Sequence, residues 1–233
     1  RRDAWRKSDC WRVVMKMHQI GATLIGLLIG LLIGMLCILA VLTAYKTTVK
    51  SGVDSRLAST HDTQLQSGLT MAQMFLQNAG YGFESGNNIL MTTLQINSES
   101  TKVVVWRLQD NSFVTCQGIA DIASDDNKKR KLVLIAGYSD STGTACNATA
   151  NLGSFVWKAE RTLAILEDFS NDQSNPSQIS FTLQNKICTP FGATEESESV
   201  SHPYVTISAG TSTQTIAGLE KVQLPVCIVN IAS

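Results

Sequence analysis

The sequence predicts an α+β protein, in which one long N-terminal helix packs on a mainly antiparallel, disulfide-bearing β-domain. Residues 22–45 carry no charge, and residues 46–80 repeat apolar side chains at helical spacing. Residues 81–233 are a series of short runs rich in β-branched and aromatic residues, separated by polar and glycine clusters. These three segments follow a basic leader at residues 1–21.

The uncharged run from Ala22 to Tyr45 is long enough to cross a membrane. As a helix at about 1.5 Å per residue it reaches roughly 36 Å, which exceeds a hydrocarbon core of about 30 Å. A cleaved secretory signal has a shorter apolar core of about 7–15 residues. A buried helix of a soluble protein usually keeps a polar face. We therefore interpret this run as one retained transmembrane helix.

The charges on either side of this run predict its orientation. Residues 1–21 hold six basic and two acidic side chains, whereas residues 22–233 hold 13 basic and 17 acidic ones. Basic flanks remain in the cytoplasm, so the N-terminus is predicted inside and the larger part outside. The acidic balance of the larger part argues against general nucleic-acid binding, and nucleic acid is not expected as a partner.

Four well-spaced cysteines lie in the predicted exported part: Cys116, Cys146, Cys188 and Cys227. No CxxC pair or histidine cluster accompanies them, as a zinc site would require, so the sequence predicts two disulfides and no metal. Three connectivities are available to four cysteines. We favour Cys116–Cys146 with Cys188–Cys227, because sequential pairing closes the shorter loops.

The stretch after the apolar run is predicted to continue as an amphipathic helix. Steps of three and four residues place most of its apolar side chains on one face. Three glycines then supply stop signals. The predicted stripe and its stops are Val53, Leu57, Leu65, Leu69, Ala72, Phe75, Leu76 and Ala79, followed by Gly80, Gly82 and Gly86.

Seven runs in the remainder are predicted strands. Several alternate apolar and polar residues with a period of two, which indicates antiparallel pairing around one core, with Trp106 and Trp157 as core or sheet-face residues. The runs are "TKVVVWRLQ", "KLVLIAGYS", "SFVWKAE", "TLAILEDF", "QISFTLQ", "PYVTISA" and "KVQLPVCIVNIA".

The order of these segments resembles a type IV prepilin. The resemblance lies in a basic leader that ends in glycine, the following "ATLIGLL", an apolar helix that becomes amphipathic, and a disulfide-bearing β-domain. The stretch "LQSGLTMAQMFLQNAGYGF" is similar to the helix end of PilW-like minor pilins. The match covers about residues 15–86, and the β-domain is similar only in style. The fold implied is therefore type IV pilin-like.

The resemblance also implies processing at the leader. In that family a membrane prepilin peptidase cuts after the leader glycine and methylates the new N-terminus, which here places cleavage between Gly21 and Ala22. Residues 1–14 would then be an upstream extension. Ala22 stands where the family usually has phenylalanine, and Gly26 stands at the fifth mature position, which is usually glutamate.

The glycine at that fifth position bears on assembly. The family's buried glutamate is thought to pair with the N-terminal amine of a neighbouring subunit, and Gly26 has no side chain for this role. The resemblance therefore implies a tip or initiating subunit. Gly26, Gly30 and Gly34 also form a small-xxx-small series, which favours close approach of another helix.

The function implied is that of a minor type IV pilin, a non-catalytic subunit that helps to prime or cap a pilus for motility, adhesion or DNA uptake. The implied partners are other pilins through the N-terminal helix, the inner-membrane assembly platform, the prepilin peptidase and membrane lipid. The implied location is the bacterial inner membrane and then the pilus surface. A type II secretion minor pseudopilin and a bitopic periplasmic binding or sensor protein are the alternatives.

The remaining polar clusters suggest weaker sites. The basic run Lys128, Lys129, Arg130 and Lys131 is a candidate contact with nucleic-acid phosphates or another anionic surface. We favour a charged hairpin loop that protects a strand edge, because no aromatic residue is interleaved for base stacking. The acidic loops lack calcium-ligand spacing, and the histidines are scattered, so neither cofactor nor catalytic activity is expected. These residues are Asp168, Asp172, Glu195, Glu196, Glu198, His18, His61 and His202.

Overall fold

The fold is taken from a computed structural model of the 233-residue chain. It describes residues 24–84, 86–124, 129–140, 145–170, 174–189 and 200–231. The chain divides into two compact units, residues 1–53 and 54–233. A single helix begins in the first unit and ends in the second, and the strands belong to the second unit.

The described secondary structure is α+β, as predicted. The elements are α1 (Leu24–Gln77), β1 (Ile89–Ile96), β2 (Glu99–Asp110), β3 (Phe113–Ala123), β4 (Lys129–Asp140), a 3₁₀ turn (Leu152–Ser154), β5 (Phe155–Glu167), β6 (Ile179–Ile187), β7 (Ser201–Gly210) and β8 (Lys221–Cys227).

The strands form two antiparallel sheets within the second unit. The larger sheet has the order β1-β2-β3-β4-β5, and the smaller one has the order β6-β7-β8. The sequence prediction omitted β1 and β3, and it divided β5 into two runs. Register shifts between β4 and β5 explain the division, because a bulge interrupts the alternation that marks a continuous strand.

Two tight hairpins join β1 to β2 and β2 to β3. Asn97 and Ser98 have φ values of 50° and 69°, and Asn111 and Ser112 have φ values of 45° and 75°. Successive positive φ values suit the right-handed twist of antiparallel strands. Asn-Ser is a weaker turn signal than Asn-Gly, so these hairpins were not predicted from the sequence.

The middle of β2 is buried on both faces of the larger sheet. Val103, Val104, Val105 and Trp106 are consecutive in β2, and all four are fully buried. Val104 and Trp106 join the core that includes α1 and the smaller sheet. Val103 and Val105 join a second core beneath the segment that contains Leu152. The second unit therefore has two apolar cores, where one was predicted.

The main core lies between α1 and the two sheets. The buried residues of α1 are His61, Leu65, Gly68, Leu69, Ala72 and Leu76. This set confirms the predicted stripe from Leu65 to Leu76. Val53 and Leu57, which the spacing placed in the same stripe, are exposed, because the helix becomes buried only from His61 onward.

Both disulfides of the sequential pairing are present. Cys116 in β3 is bonded to Cys146, with 5.8 Å between their Cα atoms. Cys188, which follows β6, is bonded to Cys227 at the end of β8, with a Cα separation of 5.9 Å. Each bridge joins segments that the backbone hydrogen bonds do not connect directly, so each closes a loop of the second unit.

Gly68 marks the closest approach of α1 to β5. A Cβ atom added at Gly68 would lie 2.6 Å from the Cβ atom of Ala164 and 3.3 Å from the carbonyl oxygen of Leu163. Two backbones that pack this closely leave no room for a side chain, so the helix and strand would have to separate.

We therefore expect Gly68→Val to lower the free energy of unfolding by roughly 1–3 kcal/mol, since overpacking forces a backbone shift. The measurement is urea unfolding of the detergent-solubilised chain, followed by tryptophan fluorescence. The matched control is Gly52→Ala in the same helix, where an added Cβ would meet no described atom within 4 Å. Equal stability of the two variants would contradict the close packing at Gly68.

Candidate functional site

The apolar half of α1 is the most exposed apolar surface of the described chain. Every residue from Leu24 to Tyr45 is exposed. The helix is long and apolar enough to span a membrane. So much uncovered apolar surface is unfavourable in water, which agrees with a helix that could span a membrane.

The glycine series lies on this exposed half. A Cβ atom added at Gly30 or Gly34 would meet no atom of the described residues within 4 Å. Gly26 lies in the first turn of α1. Gly30 and Gly34 therefore leave room for another helix in the described part of the chain, and the role of the series in helix packing stays a prediction. Gly21 and Ala22, the predicted cleavage site, lie outside the described residues.

The other half of α1 is fixed to the sheets by hydrogen bonds as well as by apolar packing. His61 is buried, its Nδ1 accepts from the backbone N–H of Glu167 at 3.0 Å, and its Nε2 lies 3.2 Å from the carbonyl oxygen of Gly210. These partners assign the ring proton to Nε2. Because Glu167 ends β5 and Gly210 ends β7, His61 connects the helix to both sheets.

Two neighbours of His61 extend this attachment. Gln64 Oε1 accepts from the backbone N–H of Ile165 at 3.1 Å, so α1 satisfies two alternate N–H groups on the open edge of β5. Asp62 accepts from the backbone N–H of Ser212 at 2.9 Å and from its hydroxyl at 2.5 Å. Polar residues of the helix thus fix its position on the second unit.

The described part of the basic run lies at the start of β4, where two of its side chains form ion pairs. Arg130 is 5% exposed, and its guanidinium pairs with Asp121 at 2.9 Å and with Glu99 at 2.7 Å. Lys129 pairs with Glu167 at 2.5 Å. The side chain of Arg130 is thus buried in β4, and the phosphate contact suggested for the basic run stays a prediction. Lys128 lies outside the described residues, and Lys131 is half-buried in β4.

Asp121 connects the larger sheet to the smaller one. Its Oδ2 accepts from the backbone N–H groups of Gln178 and Ile179, at 2.6 and 2.9 Å, at the start of β6. Its Oδ1 accepts from Arg130 Nε at 2.9 Å. The Ser177 hydroxyl donates to the same carboxylate at 2.8 Å. We call Asp121, Arg130 and Glu99 the interior ion cluster.

The electrostatics of this cluster follow from burial and mutual attraction. At Arg130 burial alone would lower the pKa, but Asp121 and Glu99 outweigh burial and raise it. At Asp121 burial raises the pKa of the carboxyl, whereas Arg130 and the hydrogen bonds from Ile179 and Ser177 lower it. We take the Asp121 carboxyl as ionised, because both of its oxygens accept hydrogen bonds from donors and a proton there would have no acceptor.

Two other polar residues considered in the sequence make hydrogen bonds with the backbone. The Asp168 carboxylate accepts from the backbone N–H groups of Ser170 and Asn175, each at 2.8 Å. His202 Nδ1 lies 2.8 Å from the carbonyl oxygen of Ile231. No group of His, Cys, Asp and Glu suited to a metal ion occurs among the described residues. Asp172, Glu195, Glu196, Glu198 and His18 lie outside that part.

Sequence reasoning missed the interior ion cluster and the hydrogen bonds of His61. Glu99 and Asp121 are separated in sequence from Arg130, and only the pairing of β2, β3 and β4 brings them together. The available signal was the position of Arg130 at the head of an apolar run, which is unusual for a solvated cation. His61 could have been noticed as a polar residue one helical turn before Leu65 in the apolar stripe.

No protein family, no curated protein and no solved structure matches this chain in the comparisons with known proteins. The structure establishes the exposed apolar helix, the antiparallel sheets and the disulfides. A function must therefore be argued from these features and from the segment order of the sequence.

We expect Asp121→Ala to lower the free energy of unfolding by roughly 3–5 kcal/mol, because it removes one partner of a buried ion pair. The control is Lys129→Gln, which breaks an ion pair whose lysine side chain is 39% exposed and should cost under about 1 kcal/mol. Urea unfolding of both variants provides the comparison. A loss at Asp121 no larger than the loss at Lys129 would show that the cluster does not hold the sheets together.

Proposed function

We propose that this chain is a minor subunit of a type IV pilus or a closely similar fibre, without catalytic activity of its own. The observation that carries the proposal is the division of α1 into an entirely exposed apolar half and a half with one face buried against a disulfide-bonded β-domain. This division supports a subunit that is first held in lipid and later packed among other helices.

The apolar half suits both environments for the same physical reason. In the bilayer its side chains contact lipid tails, and its backbone groups are satisfied within the helix. In a fibre the same side chains are covered by neighbouring helices, so withdrawal from the membrane exposes little apolar surface to water. Gly30 and Gly34 would allow close approach of a neighbouring backbone.

Gly26 favours a position at the tip of the fibre. A subunit inside the fibre would use a buried carboxylate at this position to pair with the amine of the adjacent subunit, and an ionised carboxylate in lipid is costly without such a partner. With glycine at this position that interaction is unavailable. The proposed partners are other pilins through α1, the assembly platform and the prepilin peptidase, in the inner membrane and then at the cell surface.

The decisive experiment is mass spectrometry of the N-terminus of the protein purified from its native cells. We expect the mature chain to begin at Ala22 and to carry an N-terminal methyl group. The variant Gly21→Leu should remain at full length in the membrane fraction. A wild-type chain that keeps its leader would support a bitopic membrane protein instead.

A second test concerns the glycine series. Gly30→Ile should reduce co-purification with partner pilins severalfold, because the new side chain would keep a neighbouring helix at a distance. The control is Leu31→Ile on the adjacent face, which preserves volume and should leave co-purification unchanged. Equal recovery of partners by the two variants would remove the packing role of Gly30. Co-purified secretion-system subunits, rather than pilus subunits, would favour a type II pseudopilin.

A further inference from the structure

Two buried arginines of the larger sheet have contrasting surroundings. Arg130 has two carboxylate partners in the interior ion cluster. Arg107 in β2 is 4% exposed, and none of the described carboxylates forms an ion pair with it. Burial lowers the pKa of Arg107, but guanidinium groups stay protonated in proteins. Arg107 is thus a buried cation without a counter-ion in the described part of the chain.

The hydrogen bonds of Arg107 do not use its full donor capacity. Nη1 donates to the carbonyl oxygen of Asn147 and Nη2 to that of Ala150, each at 2.6 Å. Nε is buried and has no acceptor among the described residues. A guanidinium has five N–H donors, and carbonyl dipoles neutralise its charge less well than a carboxylate does.

The arginine lies at the wall of a cavity of about 720 Å³. One part of the lining is formed by residues 86, 87, 89 and 90, and another by residues 148–152. The lining combines polar groups of Asn87, Thr149 and Asn151 with an apolar wall at Leu90. A cavity of this size and polarity suits a small polar ligand such as a sugar.

The cavity wall is held in place by covalent and hydrogen bonds. Cys116, the register partner of Arg107 in β3, forms the disulfide with Cys146 at the start of the wall segment. Asn147 Oδ1 then accepts from the backbone N–H groups of Thr149 and Ala150 at 3.0 and 2.8 Å. The carbonyls that contact Arg107 are therefore positioned before any ligand arrives.

We propose that this cavity binds a small polar ligand through an oxyanion group, carboxylate or phosphate, whose charge pairs with Arg107. Arg130 pairs with carboxylates of the protein, whereas Arg107 has no such partner in the described part of the chain. The oxyanion of the ligand would take that place. This inference does not rest on the proposed function, because the lining residues lie in the sheets and loops of the second unit and not on α1.

The test is thermal unfolding of the full detergent-solubilised chain with glucuronate, glucose 6-phosphate, inorganic phosphate or acetate. Glucose and sodium chloride at matched ionic strength are the neutral and salt controls. We expect at least one oxyanion, at about hundredfold excess over its Kd, to raise the Tm by at least about 2 °C more than either control. The sugar acid and the sugar phosphate distinguish carboxylate from phosphate. No oxyanion-specific shift with any of the four would overturn the proposal.

Two variants locate the binding. Arg107→Gln should weaken binding of the active oxyanion at least tenfold, whereas Lys158→Gln, which removes an exposed cation of β5, should leave it unchanged. Asn87→Trp obstructs the cavity from an exposed position without removing the arginine, so it keeps the test valid if Arg107→Gln does not fold. Unchanged binding by Asn87→Trp, or equal losses for Arg107→Gln and Lys158→Gln, would place the oxyanion elsewhere.

Discussion

The second unit depends on the burial of one face of α1, from His61 to Leu76, between the two sheets. This face supplies the apolar surface that the larger and smaller sheets share, so one core includes residues of the helix and of both sheets. Its polar members also satisfy N–H groups at the edge of β5. Helix packing and edge protection are therefore achieved by the same few turns.

The interior ion cluster complements this apolar packing with directional contacts. Asp121 joins β3 to the start of β6, and Arg130 joins β4 to both Asp121 and Glu99. Such pairs contribute little net stability when compared with apolar replacements, but they are costly to break. Their effect is to fix how the two sheets are aligned. Arg107 is a second buried arginine of the same sheet. Because none of the described carboxylates pairs with its guanidinium, we propose this residue as the one that pairs with a bound anion.

The exposed half of α1 follows a different physical rule from the rest of the molecule. In the second unit two clusters of apolar side chains are buried by the protein itself, whereas the side chains between Leu24 and Tyr45 are all exposed. The exposed half is long and apolar enough to span a membrane, where lipid would cover these side chains. The proposed role in fibre assembly would give both halves of the helix a use.

The sequence alone determined the features that depend on local pattern: the apolar run, the helical stripe from Leu65 to Leu76, most strands and the two disulfides. Tertiary structure decided the environments of the charged residues. The basic run around Arg130 suggests an exposed side chain, but pairing of β2, β3 and β4 places Asp121 and Glu99 beside it. It also decided the division into two sheets and the isolation of Arg107. The repeat of apolar residues along the sequence shows which face of a helix or strand is apolar. Which charged side chains come into contact depends on the pairing of strands that are distant in sequence.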